Sequence, residues 1–239
     1  MLNLSMIIEG PLINATFISR PNRFIVIIKI NNNLYKSHLA DPGRLKELLI
    51  PNANLLVRKI KNRPDRKTKF STIMVFHNGH YISLVSTLPN KFVKEALDKK
   101  ELKIFKKYKI VSTEFTVGNH RIDFLLKNLE NENFLLEVKS VTFSDNGIAK
   151  FPDAITSRGL KHTKLLTEIV KKGKNAGILF VCQRSDVKLF RPMWERDPKF
   201  SQALLDGFNV GLKVWCISTE LSENQMIFKQ VIPFKLDKN

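Results

Sequence analysis

A chain of 239 residues in which 43% of the side chains are hydrophobic and 26% are charged can bury a sizeable core, which excludes a disordered polymer as the expected state. The formal net charge is +18, from 40 Lys and Arg against 22 Asp and Glu, and residues 1–88 and 89–239 carry +9 each, which excludes a single basic tail. A positive field of this kind favours polyanion binding by neutralisation of phosphates, with a lysine-rich but solvated surface as the alternative.

The segment 7–86 has the pattern of a small all-β unit. Four runs rich in β-branched and aromatic residues predict strands, at Phe24–Ile30, Leu34–Leu39, Asn54–Ile60 and Phe70–Phe76. The dipeptide Asn78-Gly79 predicts a two-residue hairpin turn between Thr72–Phe76 and Tyr81–Val85, because both turn positions need positive φ. A short helix is expected at Arg44–Leu49, before Pro51. Five or six short strands with one short helix favour an OB-type barrel.

A second unit begins after a break in the pattern at residues 87–93, where Pro89 and Asn90 interrupt the apolar runs. Beyond it, helices are expected at Lys91–Lys107, at Ser157–Lys172 and from Asp197-Pro198 to Gly207 or Gly211, and strands at Ile110–Val117, Arg121–Leu126, Phe134–Val141, Ala176–Cys182 and Leu212–Ser218. This alternation implies a mixed sheet flanked by helices. The expected fold class is therefore α+β or α/β, with a small OB-like β-barrel at 1–88 and a mixed-sheet domain at 89–239.

The two cysteines, Cys182 and Cys216, each lie inside an apolar run and have no second Cys or His at metal-ligand spacing. They are expected to be buried and reduced, without a disulfide, as in a reducing compartment. The segment Met1–Gly10 lacks the basic flank of a signal peptide, and no apolar run approaches the roughly 20 residues of a membrane span. We expect a cytoplasmic protein with no membrane partner.

The most informative stretch is a predicted hairpin with two acidic residues on its non-core side. With a period of two, one side of the hairpin is apolar, formed by Ile122, Phe124 and Leu126 on the first strand and by Leu136 and Val138 on the second. The opposite side carries Asp123 on one strand and Glu137 with Lys139 on the other. A connection 127–133 that is symmetric about Glu130 places Asp123 directly opposite Glu137, with Cβ atoms roughly 4.5–5.5 Å apart.

This carboxylate pair points to metal chemistry. Two bare carboxylates at that separation repel each other, and a divalent cation between them removes the repulsion. Because Mg²⁺ favours one or two carboxylates with water and phosphate oxygens, Mg²⁺ or Mn²⁺ is the expected cofactor. Lys139 points to the same side, where it would stabilise charge that develops on a phosphate or orient the attacking water. The alternative is a solvated outer face, since a Glu-x-Lys triplet occurs by chance in many proteins.

The helix that follows this hairpin carries candidate phosphate contacts. Arg158 and Lys161 lie near its buried stripe, and His162 lies at the edge of that stripe. A solvated basic face is the alternative for the first two residues, and a satisfied core histidine is the alternative for His162.

The barrel half offers two further basic candidates for nucleic-acid contact. Arg44 and Lys46 follow the tight turn Asp41-Pro42-Gly43, a position where they would meet a phosphate. The basic loop Arg58–Lys69 is the second candidate, and an ordinary surface loop is its alternative.

Several stretches together resemble the sugar fermentation stimulation protein A family: Asp41–Pro51, Arg121–Phe124, Glu137–Val141, Phe151–Ala154 and Arg158–His162. The resemblance covers essentially the whole chain. It implies an N-terminal OB-like domain, a C-terminal domain of the PD-(D/E)xK nuclease-like fold, DNA binding and a regulatory link to sugar metabolism. The nuclease motif maps onto Asp123, Glu137 and Lys139, and Glu114 resembles the additional acidic metal ligand of that superfamily. Ile122 stands where the pattern has Pro.

Three functions stay open at this point. The first is a DNA-binding protein with a divalent-metal site and phosphodiester hydrolysis, the second is a non-catalytic DNA-binding regulator that keeps the nuclease scaffold, and the third is an RNA-binding factor, since OB-like barrels also bind RNA. The triplet of Asp123, Glu137 and Lys139 favours the first. The sequence has no helix-turn-helix pattern, so largely sequence-independent binding is expected.

Overall fold

The computed structural model describes residues 4–61 and 68–238. Within those ranges the elements in chain order are β1 (Ser5–Ile7), β2 (Leu12–Asn22), β3 (Ile25–Ile30), β4 (Asn33–Leu39), β5 (Asn54–Lys59), β6 (Phe70–His77), β7 (His80–Ser83), α1 (Leu88–Asp98), β8 (Lys109–Val117), β9 (His120–Lys127), β10 (Asn133–Val141), β11 (Ser144–Asp145), β12 (Ile148–Phe151), α2 (Ser157–Lys171), β13 (Asn175–Cys182), β14 (Leu189–Pro192), α3 (Pro198–Asn209), β15 (Lys213–Leu221) and β16 (Gln225–Val231). They form a barrel, a mixed sheet with helices, and a small three-stranded sheet. The expected class, an OB-like barrel followed by a mixed-sheet domain, is confirmed.

The barrel is an antiparallel sheet that closes through one parallel contact. Its strand order is β4-β3-β2-β5-β6-β7, and β4 also pairs in parallel with β6, so that five strands form the closed barrel and β7 extends it. Ser37 on β4 and Thr72 on β6 share a buried 2.8 Å hydrogen bond at the closure. Alternate residues of β3, Val26 and Ile28, are fully buried inside. The β-branched run at Phe24–Ile30 therefore forms the strand that its pattern predicts.

The hairpin turn at Asn78-Gly79 is confirmed. Both residues have positive φ, 49° and 82°, and His77 pairs with His80 across the turn. The turn joins β6 to β7, as the dipeptide predicts, since only residues that tolerate positive φ fit a tight turn of this hand.

The prediction of a short helix at Arg44–Leu49 is wrong. The segment forms a single turn in which the Leu49 amide donates to the Leu45 carbonyl at 2.8 Å. Leu45 has a φ of +50°, in the left-handed region, and a right-handed helix cannot continue through such a residue. The turn is held because Leu45 and Leu48 are both fully buried in the barrel core.

The mixed sheet has the order β1-β16-β15-β13-β10-β9-β8 within the described ranges. Its centre, β10-β13-β15, is parallel, and the outer pairings are antiparallel. On one face α1 packs against Phe124 and Leu136, and on the other face α2 and α3 pack around Ile178 and Phe180. Because both faces are covered, the central strand β13 is a continuous apolar run from Ala176, as parallel strands require.

The second unit differs from the sequence expectations in the length of one helix and in four additional strands. Helix α1 ends at Asp98 rather than at Lys107, because the chain turns at Lys100, which has a φ of +55°, and a 3₁₀ turn at Lys103–Phe105 follows. Strands β11, β12, β14 and β16 were not anticipated. The division of the chain at residue 88 stays a prediction, but β1, which precedes the barrel, pairs with β16 in the mixed sheet.

Helices α2 and α3 begin where the sequence predicts. The side chain of Asp197 caps α3 by accepting the Phe200 amide at 3.0 Å, and Pro198 occupies the first turn. The other carboxylate oxygen of Asp197 accepts the Thr156 amide at 2.9 Å, and the Thr156 hydroxyl in turn caps α2. The start of α2 is therefore fixed to the start of α3.

The barrel contacts the mixed sheet at the carboxyl end of β13. The Gln183 side chain donates to the Ser140 hydroxyl at 2.8 Å and to the Val85 carbonyl at 3.3 Å. Next to it, Ser185 shares a 3.0 Å hydrogen bond with His80 on β7. These bonds set the barrel against the end of the sheet where the acidic hairpin lies.

Both cysteines are buried and free, as expected, with their sulfur atoms 3.5 Å apart on neighbouring strands. In the part of the chain that the structure describes, no helix is long and apolar enough to cross a membrane.

Candidate metal and nucleic-acid site

The β9–β10 hairpin has the register that the sequence predicts. The ladder runs from Lys127 opposite Asn133 to Phe124 opposite Leu136, so the next step places Asp123 beside Glu137. The ladder ends there, and the Val138 amide donates to the Asp123 carboxylate at 2.7 Å. The Asp123 carboxylate oxygen therefore accepts the hydrogen bond that a main-chain carbonyl of β9 would accept from Val138 if the ladder continued.

The apolar face of the hairpin differs from the expectation at one residue. Phe124 and Leu126 pack in the cluster beneath α1, together with Leu136 and Val138, as predicted. Ile122 instead packs in the cluster beneath α2. The period of two fails at this point because β9 leaves the β10 ladder beyond Phe124.

Asp123 is held from two sides. One carboxylate oxygen accepts the Asn90 side-chain amide at 2.6 Å, and the other accepts the Val138 main-chain amide. Burial and then the negative charge of Glu137 raise the pKa of Asp123 to about 6, and these hydrogen bonds oppose the shift. Sequence reasoning missed Asn90, which it treated only as a break in the apolar pattern.

Glu137 is the more deeply buried carboxylate, with 3% of its surface exposed. Its Oε1 accepts a 2.6 Å hydrogen bond from Lys139 Nζ and lies 2.6 Å from His162 Nδ1. Burial would raise the pKa of Glu137, but His162 and Lys139 outweigh it and lower that pKa, so the group stays ionised. Among the residues that the structure describes, Oε2 is buried without any hydrogen-bond partner.

This arrangement fits a hard divalent cation. A buried, charged oxygen without a partner is unfavourable, and a cation at Oε2 would satisfy it. Within residues 4–61 and 68–238, no three His, Cys, Asp or Glu side chains are grouped for metal binding. A two-carboxylate donor set suits Mg²⁺ or Mn²⁺, which keep several waters, better than Zn²⁺, which takes three or four protein ligands.

Glu114 lies on the rim of the same cleft as Asp123 and Glu137. Its side chain is more than half exposed and pairs with Arg121 Nε at 3.2 Å. Its φ of +54° marks an irregular point in β8. The pair with Arg121 occupies the carboxylate, and the role of Glu114 as a third metal ligand stays a prediction.

The acidic pair opens into a cleft of about 620 Å³ between the barrel and the mixed sheet. Residues from several elements line it, including Arg23, Asp41 and Gly43 of the barrel, Asn90 and Lys91 of α1, Asp123, Glu137 and Lys139 of the hairpin, and Lys150, Asp153 and Arg158 beyond it. The cleft was not anticipated from the sequence, because its lining residues come from separate segments that are spread between Arg23 and Gly159.

The barrel wall of the cleft meets the segment before α2 at a very close approach. A Cβ atom on Gly43 would lie 2.5 Å from an Asp153 carboxylate oxygen, so a larger residue there would force that side chain to move. The Gly43 amide donates to Asp41 at 2.8 Å, and Arg20 donates to the carbonyls of Gly43 and Arg44 at 2.8 Å each. The Asp41 turn is therefore a fixed part of the cleft.

The predicted phosphate contacts are distributed unevenly around the cleft. Arg158 lines it, and Lys161 lines an adjoining depression together with His120 and Arg121. Arg44 and Lys46 are exposed on the barrel. Within the basic loop Arg58–Lys69, residues 62–67 lie outside the described residues.

His162 is buried beside the acidic hairpin, at the base of the depression that Lys161 lines. Its ring is 2% exposed, packs edge-on against His120, and has Nδ1 directed at Glu137. The helix turns this side chain toward the sheet, in agreement with the alternative of a core histidine, and a contact of His162 with nucleic acid stays a prediction. The sequence signal for this burial is the position of His162 at the edge of the apolar stripe of α2.

The chain is similar over its length to proteins of one family. A family model described as the sugar fermentation stimulation protein RE domain matches residues 87–225, and one described as the SfsA N-terminal OB domain matches residues 18–84. A sugar fermentation stimulation protein homolog of Clostridium tetani is 42% identical over 227 residues, which cover 95% of this chain and 98% of the relative. The homolog of Alkaliphilus metalliredigens is 41% identical over 221 residues, 91% and 95% of the two chains.

A solved structure has the same fold. The structure of Pyrococcus furiosus SfsA in complex with Ca²⁺ matches with a TM-score of 0.88 over 98% of this chain and 100% of that chain, at 24% identity.

The burial of Asp41 leads to a pH prediction. Burial, with a further contribution from Asp153, raises the pKa of Asp41 to about 6 in the folded state, well above the usual value for an aspartate. The protonated form is favoured by folding, so this contribution to stability is present below about pH 4 and is lost as the pH rises through 6. Relative to the wild type, Asp41→Asn should gain on the order of 2–3 kcal/mol in unfolding free energy between pH 4 and pH 7.

The measurement is denaturant unfolding of both proteins across that pH range. Asp98→Asn is the matched control, because Asp98 is half exposed and pairs with Lys94 on the surface. A difference between Asp41→Asn and the wild type that does not change with pH would contradict the prediction.

Proposed function

The chain belongs to the sugar fermentation stimulation protein family, and on that premise we propose that it binds DNA along the interdomain cleft and holds a divalent cation at Asp123 and Glu137 for phosphodiester hydrolysis. The family assignment rests on the two models that together match residues 18–84 and 87–225, and on relatives about 40% identical over nearly the whole chain.

The observation that carries the proposal is the state of Glu137. It is an ionised, buried carboxylate whose Oε1 has two donors and whose Oε2 has none among the described residues. Asp123 lies beside it on the next strand, and both line the cleft. The Pyrococcus furiosus relative was solved in complex with Ca²⁺, a hard cation that also prefers carboxylate oxygens, and this supports a divalent-cation site in this chain.

A bound cation of this kind would polarise the phosphate and lower the pKa of a coordinated water. Lys139 contributes a positive charge from the protein itself, with its Nζ 2.6 Å from Glu137 and its side chain almost fully buried. A preorganised charge in a site of low water content stabilises an anion far better than a surface lysine does. Lys139 would therefore stabilise the charge that develops on the phosphate during hydrolysis.

The charge around the cleft supports a nucleic-acid partner. Besides Lys139, the lining includes Arg23, Lys91, Arg121, Lys150 and Arg158. The same lining carries five carboxylates, so a divalent cation held by the acidic pair would make the cleft clearly positive toward a phosphate backbone. The net charge of +18 adds a long-range attraction that carries no sequence information.

We expect DNA binding that weakens as salt is raised. Affinity for a random duplex should fall steeply between about 50 and 200 mM salt, because binding releases counterions from phosphates. Arg158→Ala and Lys161→Ala should each reduce the slope of log K against log salt by roughly 0.9, the value for one phosphate contact. Lys174→Ala, at the opposite end of α2, is the matched control and should keep the wild-type slope. Fluorescence anisotropy measures the DNA affinity of the wild type and the three variants as a function of salt. A wild-type affinity that does not change with salt concentration would rule out phosphate neutralisation.

Metal binding should depend on both carboxylates. Asp123→Asn and Glu137→Gln should each lose Mn²⁺ binding by calorimetry, because each removes a negative ligand without changing the size of the side chain. Glu114→Gln tests the predicted third ligand, and a loss of binding there would place Glu114 in the site. Unchanged Mn²⁺ binding in both Asp123→Asn and Glu137→Gln would exclude the site proposed here.

Cleavage should depend on Lys139 while DNA binding does not. Lys139→Ala should lower the rate of plasmid cleavage with Mg²⁺ or Mn²⁺ by roughly 10²–10³, the usual effect of removing one preorganised charge. Its DNA affinity should stay close to that of the wild type, since one of 40 basic residues is removed. Lys139→Arg should also be slow, because a planar guanidinium cannot occupy the position of the ammonium group. A wild type that binds Mn²⁺ and DNA but cuts neither plasmid nor single strands would favour the non-catalytic regulator.

A further inference from the structure

We propose that His162 and Asn90 are positioning residues that hold the carboxylates of Glu137 and Asp123 in the orientation a cation needs. The inference rests on the proposed cation site and adds residues to it. Neither side chain is offered as a metal ligand, and each acts through the carboxylate that it contacts.

His162 fixes the rotation of the Glu137 carboxylate. The terminal torsion of a glutamate has a broad and shallow preference, so an unrestrained carboxylate turns easily. Here His162 Nδ1 and Lys139 Nζ both lie 2.6 Å from the same oxygen, Oε1. Two donors on one oxygen leave Oε2 as the oxygen available to a cation, and they keep it there.

The proton of His162 must lie on Nδ1 for this contact. An ionised carboxylate only accepts hydrogen bonds, so the ring nitrogen that faces Oε1 has to be the donor. The ring is buried, and its face is packed edge-on against His120 at a centroid distance of 5.6 Å. This packing restricts rotation of the ring, which makes it a rigid support for the carboxylate.

Asn90 performs the same task for Asp123 from the other layer of the fold. It lies in the first turn of α1 and donates to one oxygen of Asp123 at 2.6 Å, while the Val138 amide donates to the other oxygen at 2.7 Å. With both oxygens held, the remaining lone pairs of the carboxylate have a defined direction. The two carboxylates are thus fixed by helices on opposite faces of one sheet.

Residues that orient metal ligands typically change metal affinity 10–100-fold when they are removed. Mn²⁺ titration by calorimetry of the full chain tests this without any need for activity. His162→Phe and Asn90→Leu remove the donors with little change of size, and each should weaken Mn²⁺ binding by about 10–100-fold. His162→Asn keeps a donor near the position of Nδ1 and should restore most of the affinity.

Thr163→Val is the matched control for a purely structural effect. Thr163 is the next residue of α2, is fully buried, and its hydroxyl has no partner in the described part of the chain. Thr163→Val should leave the Mn²⁺ affinity unchanged, even if it changes the temperature of thermal unfolding.

The outcomes separate the inference from the proposed function. If the wild type binds no Mn²⁺, the proposed cation site and the positioning roles both fail. Wild-type binding with undiminished affinity in His162→Phe and Asn90→Leu would overturn the positioning roles alone. If His162→Phe does not fold, the other two variants still test the inference. Weaker Mn²⁺ binding by Asn90→Leu together with near-wild-type binding by His162→Asn would support the positioning roles. Any other combination of these two affinities would reject them.

Discussion

An ionised carboxylate that is withdrawn from water must recover most of its hydration energy from nearby donors, and the surroundings of Glu137 supply them. Lys139 comes from the same strand, and His162 comes from a helix that packs on that strand. The position of α2 is in turn fixed at its start, where Asp197 binds the Thr156 amide and also caps α3. The geometry of one buried charge therefore depends on how two helices are seated on the sheet.

A short connection in the chain links the barrel to the carboxylate site. Helix α1 begins five residues after β7 ends, and its first turn carries Asn90 to Asp123. On the opposite wall of the cleft, Gly43 lies so close to the Asp153 carboxylate that a side chain at this position would displace it. These contacts join the barrel to the mixed sheet. The barrel therefore forms one wall of the acidic site, in addition to being a folded unit of its own.

Local patterns were enough to predict the hairpin at Asp123 and Glu137, because its register follows from a symmetric connection and a period of two. They were also enough for β13 and for the start of α3 at Asp197. The patterns failed where tertiary packing decides the outcome. Leu45 has a left-handed backbone because the barrel core holds it there. His162 faces inward for a similar reason, since only the packing of α2 on the sheet decides which side of the apolar stripe is buried.

Strand β1 precedes the barrel in the chain, and its partner β16 follows all the other strands. Leu4, Met6 and Ile8 pack into the core beneath α1 and the mixed sheet. The barrel is thus inserted in the chain between β1 and β8, which form the two opposite edges of a single sheet. During synthesis β1 leaves the ribosome long before β16 exists, so the barrel can close before β1 finds its partner strand in the mixed sheet.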